Sequence, residues 1–226
     1  MKRTILTIVL AALAFGSLSA QAEQSGPIAA WGWNDYGQCD VPEPNSGFAA
    51  IAAGKCHSLG LKDDGSVAAW GFNMYGQCNV PAPNSGFIAI AGGANHSLGF
   101  KDDGSVAAWG RNDHDQCNIP APNSGFTAIA TASHHSLGLK EDGSVAAWGW
   151  NPYGQCDVPE PNSSFVAIAA GGFGHSLGLK VCQYKLIGDI NNDCKVDLLD
   201  FAVMANNWLI DCNVNPGDPA CVPKGP

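Results

Sequence analysis

The chain has 226 residues, of which 46% are apolar and 14% are charged, and this composition excludes a chain that is disordered over most of its length. Its 28 glycines and 14 prolines exclude an all-helical bundle, because both residue types interrupt helices. With 11 basic against 20 acidic residues and a net charge of -9, the chain also lacks the excess of Lys and Arg that a nucleic-acid partner requires.

Residues 1–22 have the order of a secretory signal peptide. Lys2 and Arg3 come first, an apolar stretch follows over residues 5–18, and a small-residue sequence ends at Ala22. The stretch is too short to span a bilayer comfortably, so we expect cleavage after Ala22 rather than an uncleaved anchor. The mature protein is then secreted, to the periplasm, the extracellular space or the cell surface, and has no membrane span.

Residues 28–180 are built from a repeat of 39 residues. Tryptophan, cysteine and histidine recur at this spacing, with one extra residue before the last histidine. The tryptophans are Trp31, Trp70, Trp109 and Trp148, the cysteines are Cys39, Cys78, Cys117 and Cys156, and the histidines are His57, His96, His135 and His175. Four copies in phase indicate a tandem array, in which each unit is stable only when its neighbours cover its apolar faces.

Each copy contains short apolar runs that are typical of β-strands. Three pairs of runs are joined by Asp-Gly, a strong hairpin signal, at Asp64-Gly65, Asp103-Gly104 and Asp142-Gly143. We therefore predict blades of three or four strands that pack radially into a small β-propeller over residues 23–182. If the first strand, at residues 28–32, completes the last blade, it closes the array into a ring. A closed four-bladed ring and a strongly curved open arc are favoured, and a self-associating fragment is the third arrangement.

The second block of each copy resembles the regulator-of-chromosome-condensation (RCC1) repeat. The signature is an apolar residue, two small residues and Gly, followed after two positions by His-Ser-Leu. In the first copy it reads Ile51-Ala52-Ala53-Gly54-Lys55-Cys56-His57-Ser58-Leu59. The resemblance covers residues 28–180 and implies an all-β, RCC1-like β-propeller, here with four short blades that are closed or strongly curved. Because this fold hosts many functions, the resemblance implies no particular activity.

Residues 183–226 contain a calcium-loop pattern. Oxygen-bearing side chains occupy positions 1, 3, 5, 9 and 12 of a twelve-residue loop, which is the spacing that wraps Ca²⁺. The predicted ligands are Asp189, Asn191, Asp193, Lys195 through its carbonyl, Asp197 and Asp200. Apolar residues at helical spacing follow, so we predict a small calcium loop-helix module, with a solvated acidic turn as the alternative. The stretch resembles one calcium-binding repeat of a dockerin, which implies attachment to a cohesin-like partner.

Eight of the nine cysteines fall into two groups of four. The four in the repeats lie at equivalent positions of different blades, too far apart for bridges, and are predicted to be small buried hydrophobes. Four others lie close together in the sequence of an exported chain and are disulfide candidates in any of three pairings. These four are Cys182, Cys194, Cys212 and Cys221. Cys56 is left over and is predicted to be a free thiol.

The repeated histidines raise the question of a metal site or a catalytic pair. A histidine that opens the same strand in every blade is more simply a hydrogen-bonded structural residue, and we favour that role over a transition-metal site on the propeller axis. Each of them precedes a serine, but neighbouring residues on a strand point to opposite faces, so the adjacent Ser and His do not form a catalytic pair.

Sequence variation within the repeat is concentrated in the stretch that follows each Trp-Gly. These positions are rich in aromatic residues, which are typical of binding hot spots when they are displayed on loops. The candidate partner-binding residues are Trp33, Tyr36, Phe72, Tyr75, Arg111, His114, Trp150 and Tyr153. Packing over the edges of the blades is the alternative role for these rings.

These patterns favour an exported, non-enzymatic recognition or scaffold protein. Its loops are expected to bind a protein or glycan partner, and its calcium-binding tail to attach it to a cohesin-like or cell-surface protein. An enzyme or accessory protein of polysaccharide degradation is one alternative, which requires two carboxylates that flank a cleft. The repeat also resembles that of exported β-lactamase-inhibitor propellers, so inhibition of a secreted enzyme is the other alternative.

Overall fold

The computed structural model describes residues 25–181, which form eleven β-strands and no helix. The strands are β1 (Phe48–Ala53), β2 (His57–Lys62), β3 (Val67–Gly71), β4 (Phe87–Gly92), β5 (His96–Lys101), β6 (Val106–Gly110), β7 (Phe126–Thr131), β8 (His135–Lys140), β9 (Val145–Gly149), β10 (Phe165–Gly171) and β11 (His175–Lys180). The all-β prediction is confirmed for this part of the chain.

The strands form four blades in chain order. The first three blades are antiparallel sheets of three strands each, β1-β2-β3, β4-β5-β6 and β7-β8-β9, and the fourth contains β10 and β11 as its described strands. The predicted Asp-Gly hairpins join the second and third strands. At the first of them, Asp64 accepts hydrogen bonds from the backbone and the hydroxyl of Ser66, and Gly65 has a φ of 77°. The strand that begins with histidine is therefore the middle strand of each complete blade.

Neighbouring blades share one apolar core. Leu59, Leu61 and Val67 of the first blade pack with Phe87 and Trp109 of the second, and the corresponding residues join the second blade to the third. Within a blade, a β-carbon on Gly60 would collide with the ring of Phe48, and the same clash would arise at each equivalent glycine. The recurrent glycine of the middle strand therefore makes room for the phenylalanine that opens the blade.

A main-chain carbonyl in the loop before each blade holds that blade in place. The carbonyl of Gln77 accepts hydrogen bonds from the Ser97 hydroxyl and from the Trp109 indole N–H, both at 2.9 Å. Gln38 and Gln116 make the same pair of bonds one blade earlier and one blade later. Since the serine lies on the middle strand and the tryptophan on the third, one carbonyl anchors two strands.

A second hydrogen bond joins each blade to the next. His57 Nε2 lies 2.9 Å from Ser97 Oγ, and the same contact links His96 to Ser136 at 3.0 Å. Because the Ser97 hydroxyl donates to a carbonyl, its oxygen accepts from histidine, so Nε2 of the ring carries a proton. A histidine and a serine do therefore pair, but between consecutive copies of the repeat rather than within one strand.

The predicted closed ring, in which residues 28–32 complete the last blade, is not observed. Among residues 25–181, residues 28–32 do not form a strand, β11 pairs with β10 alone, and the sheets do not close into a four-bladed ring. The backbone of Ile28 is instead held by the Asn45 side chain, through bonds of 2.7 and 2.9 Å. Val67 and Asn84 make the same bonds between the first and second blades, so this local contact keeps residues 28–32 beside the first blade.

The contacts between blades predict unequal effects of two equivalent serines. Ser97→Ala leaves the buried His57 Nε2–H without an acceptor and should lower the free energy of unfolding by about 1–3 kcal/mol. Ser58 occupies the same position in the first blade and bonds to the Gln38 carbonyl, but it has no histidine partner among residues 25–181 of its own chain. Ser58→Ala is therefore the matched control and should cost less. Urea denaturation of both variants measures the difference, and equal losses would contradict the assigned role of the His–Ser bond.

Candidate functional site

Four loops display the variable positions, and each loop is clamped by the same asparagine. In the second copy, Asn73 Oδ1 accepts from the backbone N–H of Cys78 and Asn73 Nδ2 donates to Asn79, both at 2.8 Å. The side chain of Gln77 accepts from the backbone N–H of Tyr75. Asn34, Asn112 and Asn151 make the corresponding contacts in the other copies. The loop conformation is thus fixed by residues that repeat, while the residues between them differ.

The first two loops bring four aromatic rings into one row. Trp33 meets Tyr36 edge to face at 5.3 Å between ring centroids, Tyr36 meets Phe72 at 5.0 Å, and Phe72 meets Tyr75 at 6.1 Å. The guanidinium of Arg111, from the third loop, lies 5.1 Å from the centre of the Tyr75 ring, within cation–π range. Rings from adjacent copies therefore form a continuous surface.

The third and fourth loops form a second group of rings. Trp150 lies 6.2 Å from His114 and 5.9 Å from His134, and it meets Tyr153 edge to face at 5.3 Å. Phe173 packs edge to face on the other side of Trp150, at 6.4 Å. We refer to both groups together as the aromatic surface, which comprises Trp33, Tyr36, Phe72, Tyr75, Arg111, His114, His134, Trp150, Tyr153 and Phe173.

All eight candidate partner-binding residues lie on the aromatic surface. Phe72 and Trp150 are half-buried beneath their neighbours, whereas Trp33, Tyr153 and Phe173 each expose more than half of their surface. The sequence left packing over the blade edges and exposure for binding as alternatives. In the structure, some rings of each group are packed while others are exposed. Sequence reasoning missed the contribution of His134 and Phe173, which come from the turn between the first two strands of a blade. The extra residue of the fourth copy was the only signal for Phe173.

One ion pair lies at the centre of the aromatic surface. Arg111 Nε donates to Asp113 at 2.9 Å, and this hydrogen bond holds the pKa of the Asp113 carboxyl below its usual range. The same bond raises the pKa of the Arg111 guanidinium. The Arg111 side chain is 27% exposed and that of Asp113 is 51% exposed, so water screens the pair, which orients the guanidinium over Tyr75 rather than adding much stability.

The repeated histidines do not gather at one point. Each of His57, His96 and His135 is buried and bonded to a serine of the following blade. Over residues 25–181, no group of three or more His, Cys, Asp or Glu side chains is placed to hold a metal ion. Burial lowers the pKa of His57 to about 4 and that of His96 to about 3, and it also lowers the pKa of His135. These rings are neutral structural groups at physiological pH.

The repeat cysteines are not buried hydrophobes as predicted. Cys39, Cys78, Cys117 and Cys156 are only partly buried, because each thiol turns toward the main-chain carbonyl six residues earlier. Burial is the main cause that raises the pKa of Cys78, Cys117 and Cys156 to about 11, so these thiols stay protonated at neutral pH. Cys56 is buried and unpaired, as expected for the residual thiol.

Several predictions from the sequence lie outside the described residues. They are the signal peptide, the calcium ligands Asp189, Asn191, Asp193, Lys195, Asp197 and Asp200, the helix after them, and the disulfide candidates Cys182, Cys194, Cys212 and Cys221. Within residues 25–181 there is no helix long and apolar enough to cross a membrane.

Three segments of the chain match the family of the regulator of chromosome condensation (RCC1) repeat. They are residues 48–77, 87–116 and 126–155. Each segment begins with the first strand of a complete blade and ends at the glutamine whose carbonyl anchors the following blade. Over these three segments the chain is similar to the RCC1 repeat, and the shorter fourth blade follows them. No sequence among curated proteins matches the chain.

The fold is similar to that of solved RCC1-like structures. Prp20p of Saccharomyces cerevisiae matches with 19% identity and a TM-score of 0.56, over 79% of this chain and 54% of that protein. The ectodomain of the receptor kinase CR4 of Physcomitrella patens matches with 26% identity and a TM-score of 0.55, over 66% of this chain and 42% of that one. The chain therefore spans about half the length of these structures. The yeast structure was described together with its binding to Gsp1p and histones.

The lowered pKa values predict that acid destabilises the array. Since folding lowers the pKa of the buried histidines from 6.5, their contribution to stability is complete above about pH 6.5 and is lost as the pH falls toward 4. His96→Gln can still donate to Ser136 but does not titrate, so its free energy of unfolding should fall less steeply between pH 6.5 and 4.5. Urea denaturation across this range measures both slopes, and parallel slopes would show that His96 does not contribute.

Proposed function

We propose that this protein is an exported, non-enzymatic recognition protein that binds a partner protein through the aromatic surface. The observation that carries the proposal is the row of partly exposed rings on loops whose conformation is fixed from within. Trp33, Tyr153 and Phe173 offer large apolar area to solvent, although each already has a ring neighbour. Aromatic residues and arginine are the side chains that most often dominate binding energy at interfaces.

The clamped loops reduce the cost of binding. Association loses free energy when flexible side chains and loops become ordered, and a surface that is ordered beforehand loses less. The asparagine clamp fixes each loop at both ends, and ring contacts restrict the side chains within it. Tyrosine and tryptophan also have only two side-chain angles to restrict. The same scaffold therefore presents a different set of contact residues in each copy.

A protein is the partner class that we favour. The solved structures with this fold include the yeast protein described with its binding to Gsp1p and histones, and another in which yeast RCC1 is bound to Kap60. The present chain is acidic and places only one arginine on the aromatic surface, so its partner need not resemble those proteins. A glycan that stacks on the rings is the second outcome that a binding screen must include.

An enzymatic role has no comparable support. Glycoside hydrolysis requires two carboxylates on either side of a bond, about 5–10 Å apart. The recurrent aspartates Asp64, Asp103 and Asp142 lie in hairpins of three different blades, and each accepts two hydrogen bonds from the serine two residues later. Turn formation accounts for these side chains. Inhibition of a secreted enzyme such as a β-lactamase is one form that partner binding would take.

The tail supplies attachment in this proposal. Residues 1–22 direct export, and the loop of residues 189–200 binds one Ca²⁺ and orders a dockerin-like module that docks a cohesin-like or cell-surface protein. The support is the spacing of oxygen-bearing residues in the sequence, which suits the six to eight hard ligands of Ca²⁺. Recognition by the blades and attachment by the tail are separate functions that can be tested independently.

Removal of three rings should abolish partner binding. The triple variant Trp33→Ala, Phe72→Ala and Trp150→Ala removes a ring from three of the four loops, and each hot-spot ring is worth about 2 kcal/mol, or roughly 30-fold in affinity. The measurement is capture of the partner from the native exterior by the mature chain, followed by titration of the purified partner or glycan.

The matched control for this experiment is Val166→Ala, an exposed apolar residue of β10 outside the aromatic surface. It should bind like the parent chain, and the circular-dichroism spectrum of the triple variant should show that the blades remain folded. Unchanged affinity of a folded triple variant would refute the assignment of the aromatic surface.

Calcium binding is tested on the full mature chain. Isothermal titration should show one Ca²⁺ site, and Asp193→Ala should weaken it because the loop loses its ligand at position 5. Asp157→Ala, an exposed aspartate of the fourth loop, is the control and should leave the titration unchanged. A flat titration of the parent chain would end the calcium proposal without affecting the aromatic surface.

A further inference from the structure

The C-terminal end of the array presents a strand that has one free edge and exposed apolar side chains. Within residues 25–181, β11 pairs with β10 on one side and lacks the third strand that covers the equivalent strands β2, β5 and β8. Leu177 is 63% exposed and Leu179 is 61% exposed, whereas Leu59 and Leu98 at the same repeat positions as Leu177 are fully buried. An edge of this kind pairs readily with another strand.

A pocket next to this edge lies where earlier blades hold a tryptophan. Its volume is about 290 Å³. The pocket is lined by Leu137, Val145, Val158, Phe165, Ile168 and Gly178 among others. The corresponding residues of the preceding junction surround the buried indole of Trp148, which comes from the third strand of the following blade. The fourth blade has no third strand among residues 25–181, so the position of the indole is vacant.

The N-terminal end carries the segment that the other end lacks. Residues 28–32 read Ile-Ala-Ala-Trp-Gly, and the third strand of every complete blade reads Val-Ala-Ala-Trp-Gly. Trp31 is 85% exposed and makes no hydrogen bond with any described residue, whereas Trp109 and Trp148 are buried and bonded. Residues 28–32 therefore have the sequence of a third strand but do not pair with the first two strands of any described blade.

The polar groups at the two ends are also complementary. The Gln155 carbonyl accepts from Ser176 at 2.7 Å, but no described residue supplies the indole donor that the equivalent carbonyls have. His175 has no serine partner among the described residues, and Ser58 at the other end has no histidine partner. Each group that is unmatched at one end of the array has its counterpart at the other end.

We propose that a second copy of this chain closes the array, with residues 28–32 of each copy added to β11 of the other as the third strand of its fourth blade. The register follows that of β8 and β9, in which Ser136 lies opposite Trp148 and Leu137 opposite Ala147. In this register Trp31 lies opposite Ser176 and its indole enters the pocket beside Phe165. The apolar side chains of β11 then face the first blade of the second copy, and His175 faces Ser58 of that copy.

A second copy supplies the third strand of the fourth blade better than residues 28–32 or residues 185–189 of the same chain would. The sheets of one chain do not close, and Asn45 holds Ile28 beside the first blade rather than near β11. In the tail, residues 185–189 follow β11 at the repeat spacing but carry Gly188 where the pattern places tryptophan. Two copies of four blades make eight, within the four to eight that propellers use, whereas three copies exceed that number. The proposal does not depend on the proposed function, because it rests on the unmatched ends of the array rather than on partner binding. Trp33 and Tyr153 of the aromatic surface lie beside these ends, so the junction is tested at residues outside that surface.

The mass of the full mature chain in solution tests the proposal. Sedimentation equilibrium at micromolar concentrations should give twice the chain mass. Trp31→Ala and Leu177→Asp should each reduce it to the mass of one chain, and Met74→Ala, at an exposed apolar residue in the loop of the second copy, should leave it unchanged. Both disruptive substitutions alter exposed side chains, so the folded state of each monomer is verified by its circular-dichroism spectrum. The proposal would be overturned if the parent chain sedimented as a monomer, or if the Trp31→Ala variant still sedimented as a dimer.

A mixing experiment distinguishes head-to-tail pairing from every other mode of association. Trp31→Ala damages the N-terminal end only, and Leu177→Asp damages the C-terminal end only. In a 1:1 mixture, the intact C-terminal end of the Trp31→Ala chain can pair with the intact N-terminal end of the Leu177→Asp chain. The mass of a dimer should therefore be recovered, although neither variant associates alone. A symmetric contact through the tail or the aromatic surface would not be restored by mixing. A mixture that sediments as monomers would refute the head-to-tail junction.

Discussion

The whole array depends on a main-chain carbonyl that accepts two hydrogen bonds. The carbonyl of Gln77, in the loop that leads into the second blade, receives the Ser97 hydroxyl and the Trp109 indole. A carbonyl oxygen has two lone pairs, so both bonds are satisfied by one atom. The Gln77 side chain meanwhile accepts from the backbone of Tyr75 and shapes the loop. One residue thus positions two strands through its backbone and the displayed ring through its side chain.

This arrangement separates the residues that fold the protein from those that it displays. The bonds that fix a loop come from the asparagine at its start and the glutamine near its end, and both occur in all four copies. The positions between them contact neighbouring rings and solvent. Substitution at Trp33 or Tyr75 therefore changes the chemistry of the aromatic surface without removing a bond that holds the blades. A repeated scaffold with variable loops is well suited to recognition.

The sequence was most informative where one short pattern determines one local structure. The Asp-Gly turns, the middle strand that begins with histidine and the clustering of the variable aromatic residues all follow from local patterns of a single copy. The role of Gln77 was missed because a backbone acceptor has no residue-type signature. The pairing of His57 with Ser97 was missed for another reason, since it joins consecutive copies. The sequence left a closed ring, an open arc and a self-associating fragment as alternatives, because closure depends on the angle between blades, which no single copy encodes.

Each of the two recurrent contacts, histidine with serine and glutamine with tryptophan, has its own nearly constant separation along the chain. The serine lies 40 residues after its histidine partner, or 41 at the last junction, and the tryptophan 32 residues after its glutamine. A genetic duplication or deletion of one 39-residue unit inside the array therefore leaves every such pair intact, wherever its boundaries fall. The number of blades in this architecture can change in whole units during evolution without the redesign of any interface.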